Sequence, residues 1–163
     1  MGGFAARVLV TILHTMLPAS SAIHLSVSPL QLTLRDPFTL SHGTSLVRDN
    51  LLVTLRWGLF TGLGEVAVVP YRGETAADLQ RMLEHPGLLS HLTPSAGLDP
   101  ERALESLRRP LSPPAMAALD MALHDMWARR RGRPLHQLWG LDPACCPVSS
   151  FTIAMDDDDQ NYR

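Results

Sequence analysis

The stretch LLVTLRWGLFTGLGEVAVVP, Leu51 to Pro70, decides the fold. Leu51, Val53, Leu55 and Trp57 alternate with Leu52, Thr54 and Arg56, the period-two pattern of a strand with one buried face. Gly58 opens a turn, and TGLGEVAVVP supplies a further strand that ends at Pro70. Upstream, Ile23, Leu25 and Val27 alternate with polar neighbours, and after Ser28-Pro29 the phase moves to Leu30, Leu32 and Leu34. This predicts a strand bent at the proline. DPFTLSHGTS, Asp36 to Ser45, is rich in Pro, Gly and small polar residues and reads as an interruption between these two strands. Three consecutive strands with modest connections predict an antiparallel meander.

Helical signals take over beyond Pro70. Thr75 with Asp78 three residues on forms a capping pair, and Leu79, Met82 and Leu83 share a face until His85-Pro86. Asp99-Pro100 opens a second helix with Leu104 and Leu107 inward. Ser112 caps the longest helix, with Pro113 at its first position and Met116, Leu119, Leu123, Met126 and Trp127 at three- and four-residue spacing. Arg129 to Arg131 suit its negative end, and Gly132 and Pro134 stop it. PLHQLWG predicts one more helical turn, LDPACCP a linker, and Val148 to Met155 a final strand without a sequence partner. Sheet first and helices afterwards is an α+β arrangement, with the helices on one face of a three-stranded antiparallel meander.

Composition bounds the function. With 163 residues, 45% hydrophobic and 18% charged, the chain suits one globular domain. The net charge of −2, with arginines clustered only at Arg129 to Arg131, excludes a basic face for nucleic acid. All 14 basic residues are arginine, so neither a lysine Schiff base nor an amine proton shuttle is available. Cys145 and Cys146 are adjacent, which strains a disulfide between them and predicts free thiols in a reducing compartment. Residues 1–22 carry Arg7, the apolar run VLVTILHTML and the small-residue stretch ASSA. They read as a secretory signal, an extension, or a start upstream of the true one, and the run is too short to span a bilayer. A cytoplasmic location is expected, or a secreted or periplasmic one if the segment is a signal.

Few residues suggest chemistry directly. Glu65 and Glu74 flank VAVVP and could pair as acid and base, though a strand-surface Glu and a helix-start Glu are the simpler reading. Asp120 and His124 could meet as a proton-transfer pair or as two metal ligands; a solvated i,i+4 pair is simpler, and Asp125 lies well round from both. Asp156 to Asp159 lack the alternate spacing and glycine of a calcium loop and read as a solvated tail. No phosphate-cradling loop, nucleophile elbow or zinc motif is present.

Three stretches in order, DPFTLSHGTSLVRDNLLVTLRWGLFTGLGEVAVVPYRGET, SPPAMAALDMALHDMWARRRGRPLHQLWGL and SSFTIAM, resemble the N-terminal capping domain of the enolase superfamily. The resemblance lies in its muconate-lactonizing subgroup and is greatest to the dipeptide epimerases that interconvert L-Ala-D-Glu and L-Ala-L-Glu. It divides the chain into an extension or signal (1–22), the cap (23–141), and a linker with the first strand of a truncated (β/α)₈-type barrel (142–163). It implies a small dipeptide or acidic amino-acid derivative as substrate and a 1,1-proton transfer next to a carboxylate. Mg²⁺ held by three carboxylates, and lysines on opposite faces, would come from later barrel strands. No catalytic residue or metal ligand therefore carries over, and the chain alone is expected to be inactive. The substrate contacts that the resemblance implies are His42 and Gly43 in the mobile loop, Tyr71 and Arg72 in the second loop, and Thr152 on the barrel strand. His42 stands where epimerases often place an arginine; it either replaces that donor or is a plain loop histidine. The other members of the subgroup, o-succinylbenzoate synthases, cycloisomerases and N-acylamino acid racemases, are the nearest alternatives. A non-catalytic peptide-binding module and a barrel supplied by another polypeptide are further ones. An unpaired C-terminal strand would promote self-association.

Overall fold

The computed structural model describes residues 22–40, 43–69, 73–91, 99–107 and 111–150. Strands β1 (Ile23–Leu40), β2 (Gly43–Trp57) and β3 (Phe60–Val66) form one antiparallel sheet with β2 in the middle. Register sets Ile23, Val27, Leu51, Val53, Leu55, Trp57 and Val66 on a single face, and all seven are buried. The meander is the one that the alternation predicts.

Two details of the hairpin differ from the sequence reading. Pro29 pairs opposite Leu51 with no change of register, so the strand is not re-phased there. β1 is an edge strand, where a proline can take a position whose missing N–H would face away from the ladder. Leu30 and Leu32 therefore lie on the face turned away from the helices. DPFTLSHGTS is likewise no open interruption, because the ladder resumes from Phe38 opposite Ser45 to Leu40 opposite Gly43. The irregularity is confined to the segment between Thr33 and Phe38, where Pro37 cannot donate to a ladder and Arg35 pairs with Asp36.

Helices α1 (Ala76–Leu83), α2 (Pro100–Leu107), α3 (Pro113–Arg131) and α4 (Leu135–Leu138) follow, with 3₁₀ turns at Leu88–His91 and Pro143–Cys145. Thr75 and Asp78 make the expected capping box at α1. Ser112 is the N-cap of α3, but its side chain makes no capping hydrogen bond. Pro114, at the second helical position, lacks one of the two N–H groups that a cap would reach. At the other end Gly132 adopts φ 61°, and the Arg133 N–H reaches back to the Ala128 carbonyl, as in a Schellman closure.

α3 lies on the sheet, and glycine makes the close approach possible. A β-carbon at Gly62 would sit 2.0 Å from the Ala122 carbonyl oxygen, and one at Gly64 would sit 1.9 Å from that of Ala118. Ala115, Ala118, Leu119, Ala122, Leu123 and Met126 are buried there. Met116 and Trp127, read from spacing as inward, are only half-buried. Asp125 Oδ2 accepts from the Leu63 N–H at 3.0 Å, which occupies a donor on the outer edge of β3. Arg130 stacks 3.7 Å above the Trp57 ring, and desolvation, with the charge of Arg131 second, lowers its pKa. Leu79, Leu83 and Leu107 complete the core from α1 and α2.

Candidate functional site

The β1–β2 tip and the exit of the chain from β3 point toward the same end of the sheet. β3 runs antiparallel to β2 and ends at Val66 opposite Leu51, so the chain leaves it heading toward the β1–β2 tip. Beyond Leu51 the hairpin continues eight residues to Gly43, about 26 Å of strand at the usual rise.

Gly43, the first described residue after the tip, has φ 139°, and nothing lies within 4 Å of where its β-carbon would be. Backbone conformation, not crowding, calls for glycine there. Below it the Thr39 and Thr44 hydroxyls meet at 3.0 Å across the strands. Arg48 donates to Ser45 Oγ at 3.0 Å and sits 5.9 Å from the Phe38 ring centre. This places an arginine on the arm near the expected mobile loop, a residue that spacing alone did not single out. His42 itself, with Tyr71, Arg72 and Thr152, lies outside the described residues, as does the rest of the expected barrel strand from Phe151 onward.

The second loop is anchored at both ends. At its start Asn50, 8% exposed, donates from Nδ2 to Glu65 Oε1 at 2.6 Å and accepts the Val68 N–H on Oδ1 at 3.3 Å. At its end Gly73 takes φ 81°, and the Thr75 side chain accepts the Asp78 N–H while the Thr75 N–H donates to the Asp78 carboxylate. Asp78 also pairs with Arg81. The Thr75 hydroxyl, the Thr75 N–H and then Arg81 hold the Asp78 carboxyl below its ordinary value. Sequence reasoning passed over Asn50; its signal is a polar residue at the head of an apolar alternation, diagonal to Glu65 once the hairpin is built.

The remaining candidates are committed elsewhere. Glu65 serves Asn50, whose Nδ2 donates to its Oε1. His124 Nδ1 lies 2.6 Å from Asp120 Oδ1 and 3.1 Å from the Asp120 carbonyl, so the i,i+4 pair forms. The pair is half open to solvent: the Asp120 side chain is 48% exposed, whereas that of His124 is 15% exposed, with Trp127 and Trp139 rings edge-on at 6.2 and 5.4 Å. Asp125 is shared between Leu63 and Arg129. Among the described residues no three histidine, cysteine or acidic side chains group as a metal site, so the implied magnesium does not fit them. Cys145 and Cys146 are free and exposed. No helix among the described residues is long and apolar enough to cross a membrane.

Comparison with known proteins agrees with this geometry. The family described as mandelate racemase / muconate lactonizing enzyme, N-terminal domain, matches residues 22–140. The L-Ala-D/L-Glu epimerase of Bacteroides thetaiotaomicron is 32% identical over 131 residues, covering 80% of this chain and 34% of that protein. The N-succinylamino acid racemase of Thermus thermophilus is 38% identical over 119 residues, 68% of this chain and 31% of that protein. An enolase family member from Agrobacterium tumefaciens with homology to dipeptide epimerases, solved with sodium and L-Ala-L-Glu, superimposes with TM-score 0.67 at 29% identity, covering 83% of this chain and 39% of that one. The chain thus spans about a third of the length of the curated relatives it matches.

Proposed function

Because the chain belongs to the mandelate racemase/muconate lactonizing enzyme family, within the enolase superfamily, we propose that it is the capping portion of a dipeptide epimerase-like isomerase. The observation that carries this reading is the 32% identity, over 80% of this chain, to an L-Ala-D/L-Glu epimerase. The reaction is removal and return of a proton at a carbon next to a carboxylate. The cap's share is to bind, orient and enclose a small dipeptide, with His42, Gly43, Tyr71 and Arg72 on its two loops and Thr152 on the strand that follows. Magnesium and the proton-transferring lysines belong to the barrel, which begins within residues 142–163; a chain without lysine does not turn over substrate by itself. The cytoplasm is its proposed location, unless residues 1–22 serve as a signal.

Grafting residues 23–141 in place of the cap of the Bacteroides epimerase tests this. The chimera is expected to exchange the α-proton of the glutamate in L-Ala-L-Glu with solvent deuterium. A folded, magnesium-binding chimera without exchange on any dipeptide or N-acylamino acid would overturn the reading. The 38% identity to an N-succinylamino acid racemase favours, as second reading, an N-acylamino acid substrate, and the same chimera separates the two by which substrate exchanges faster.

A further inference from the structure

Among the described residues Asn50 is the one buried polar side chain; it lies on the sheet face turned away from the helices, with Leu30 and Glu65, outside the apolar core. Its amide nitrogen and oxygen hold two points of the chain that leaves β3: Glu65, next to last in the strand, and Val68, two residues past its end. Pro70 to Arg72 come next. A buried amide left half-satisfied costs free energy, so this bidentate arrangement fixes the direction in which the chain departs. The far end of the same loop is fixed independently by the Thr75–Asp78 box.

We propose that Asn50 and Glu65 form a positioning pair that fixes the chain at Val68 as it leaves β3, ahead of Tyr71 and Arg72 in sequence. Asn50 does not touch substrate; it acts through the Val68 amide. The link to substrate rests on the epimerase-like reading of that loop, whereas the tether rests on the contacts alone.

The test is hydrogen exchange on the full chain, followed amide by amide from Ala67 to Gly73, with tryptic cleavage after Arg72 as a second clock. Asn50→Ala removes both contacts and is expected to speed exchange of the Val68 amide and cleavage after Arg72 by roughly tenfold. Glu65→Gln keeps an oxygen for Asn50 Nδ2 and is expected to stay near wild type, whereas Glu65→Ala speeds both clocks. Met126→Ala, a core variant remote from the loop, lowers the melting temperature and serves as the control for global loosening. Acceleration in Asn50→Ala but not in Met126→Ala supports the tether. Equal rates in Asn50→Ala and wild type, or equal acceleration in both variants, would overturn it. No substrate enters this experiment, so its failure leaves the chimera test standing, and failure of the chimera leaves the tether standing.

Discussion

Replacing Gly64 by alanine places a methyl group 1.9 Å from the Ala118 carbonyl oxygen and 2.9 Å from its carbon, roughly 1.5 Å inside ordinary van der Waals contact. The obstacle is backbone in the middle of a 19-residue helix, so no side-chain rotation relieves it. α3 has to lift from β3. A gap of about 0.5–1 Å already forfeits a quarter to a half of the dispersion energy of the facing atoms. The buried Ala115, Leu119, Leu123 and Met126 would share that loss. The expected cost is therefore at the top of the overpacking range, about 3 kcal/mol, which lowers the melting temperature by about 6–12 °C for a chain of this size. Gly87→Ala is the control, since its β-carbon would meet only the His85 ring at 3.4 Å. Thermal and urea melts followed by circular dichroism read both. A Gly64→Ala protein melting within about 2 °C of wild type, well inside the effect of an ordinary surface change, would refute the close-approach argument.

Other consequences are quicker to state. Gly132→Ala puts a side chain on φ 61° in otherwise open space and is expected to cost about 1 kcal/mol in urea melts, from the backbone alone. Asp78 has its folded pKa held below the ordinary 3.8, so its contribution is present above that pH and is lost as pH falls through the lower folded value. Asp78→Asn should lower stability at neutral pH and flatten its dependence on pH below about 4 in acid melts, so that the variant and wild type converge at low pH. Arg130→Met keeps stem packing over Trp57 and removes a buried, unpaired Nη1, so stability should change by less than about 1 kcal/mol, whereas Arg130→Ala should cost more through lost packing.

The order of elements was legible because each is written in local chemistry: alternation in β2, the Thr75–Asp78 pair, Pro113 and Gly132 around α3. The close contact of sheet and helix was not, since Gly62 and Gly64 read as a weak strand until register sets them opposite Ala122 and Ala118. The same holds for Asn50, whose partners lie 15 and 18 residues away and meet it only when the hairpin closes. At the tip, proline and glycine suggest an end to pairing, yet the ladder resumes at Phe38, because only the residues between Thr33 and Phe38 fall out of register.

The packing also shows how far the side chains of α3 are committed to the fold. α3 carries acids, a histidine and arginines that invite a catalytic reading, yet their geometry ties them to the fold: Asp125 holds the edge of β3, Arg130 covers Trp57, and His124 sits beneath Trp139. Moving Asp125 or Arg130 toward a ligand would break a contact that holds the helix on the sheet, and moving His124 would break its contact with Trp139. The loop between β3 and α1 has its described ends fixed by Asn50 and Thr75. Substitutions at Tyr71 or Arg72 should then alter substrate affinity in the chimera while leaving its melting temperature nearly unchanged, and a large loss of stability from Arg72→Ala would contradict this division.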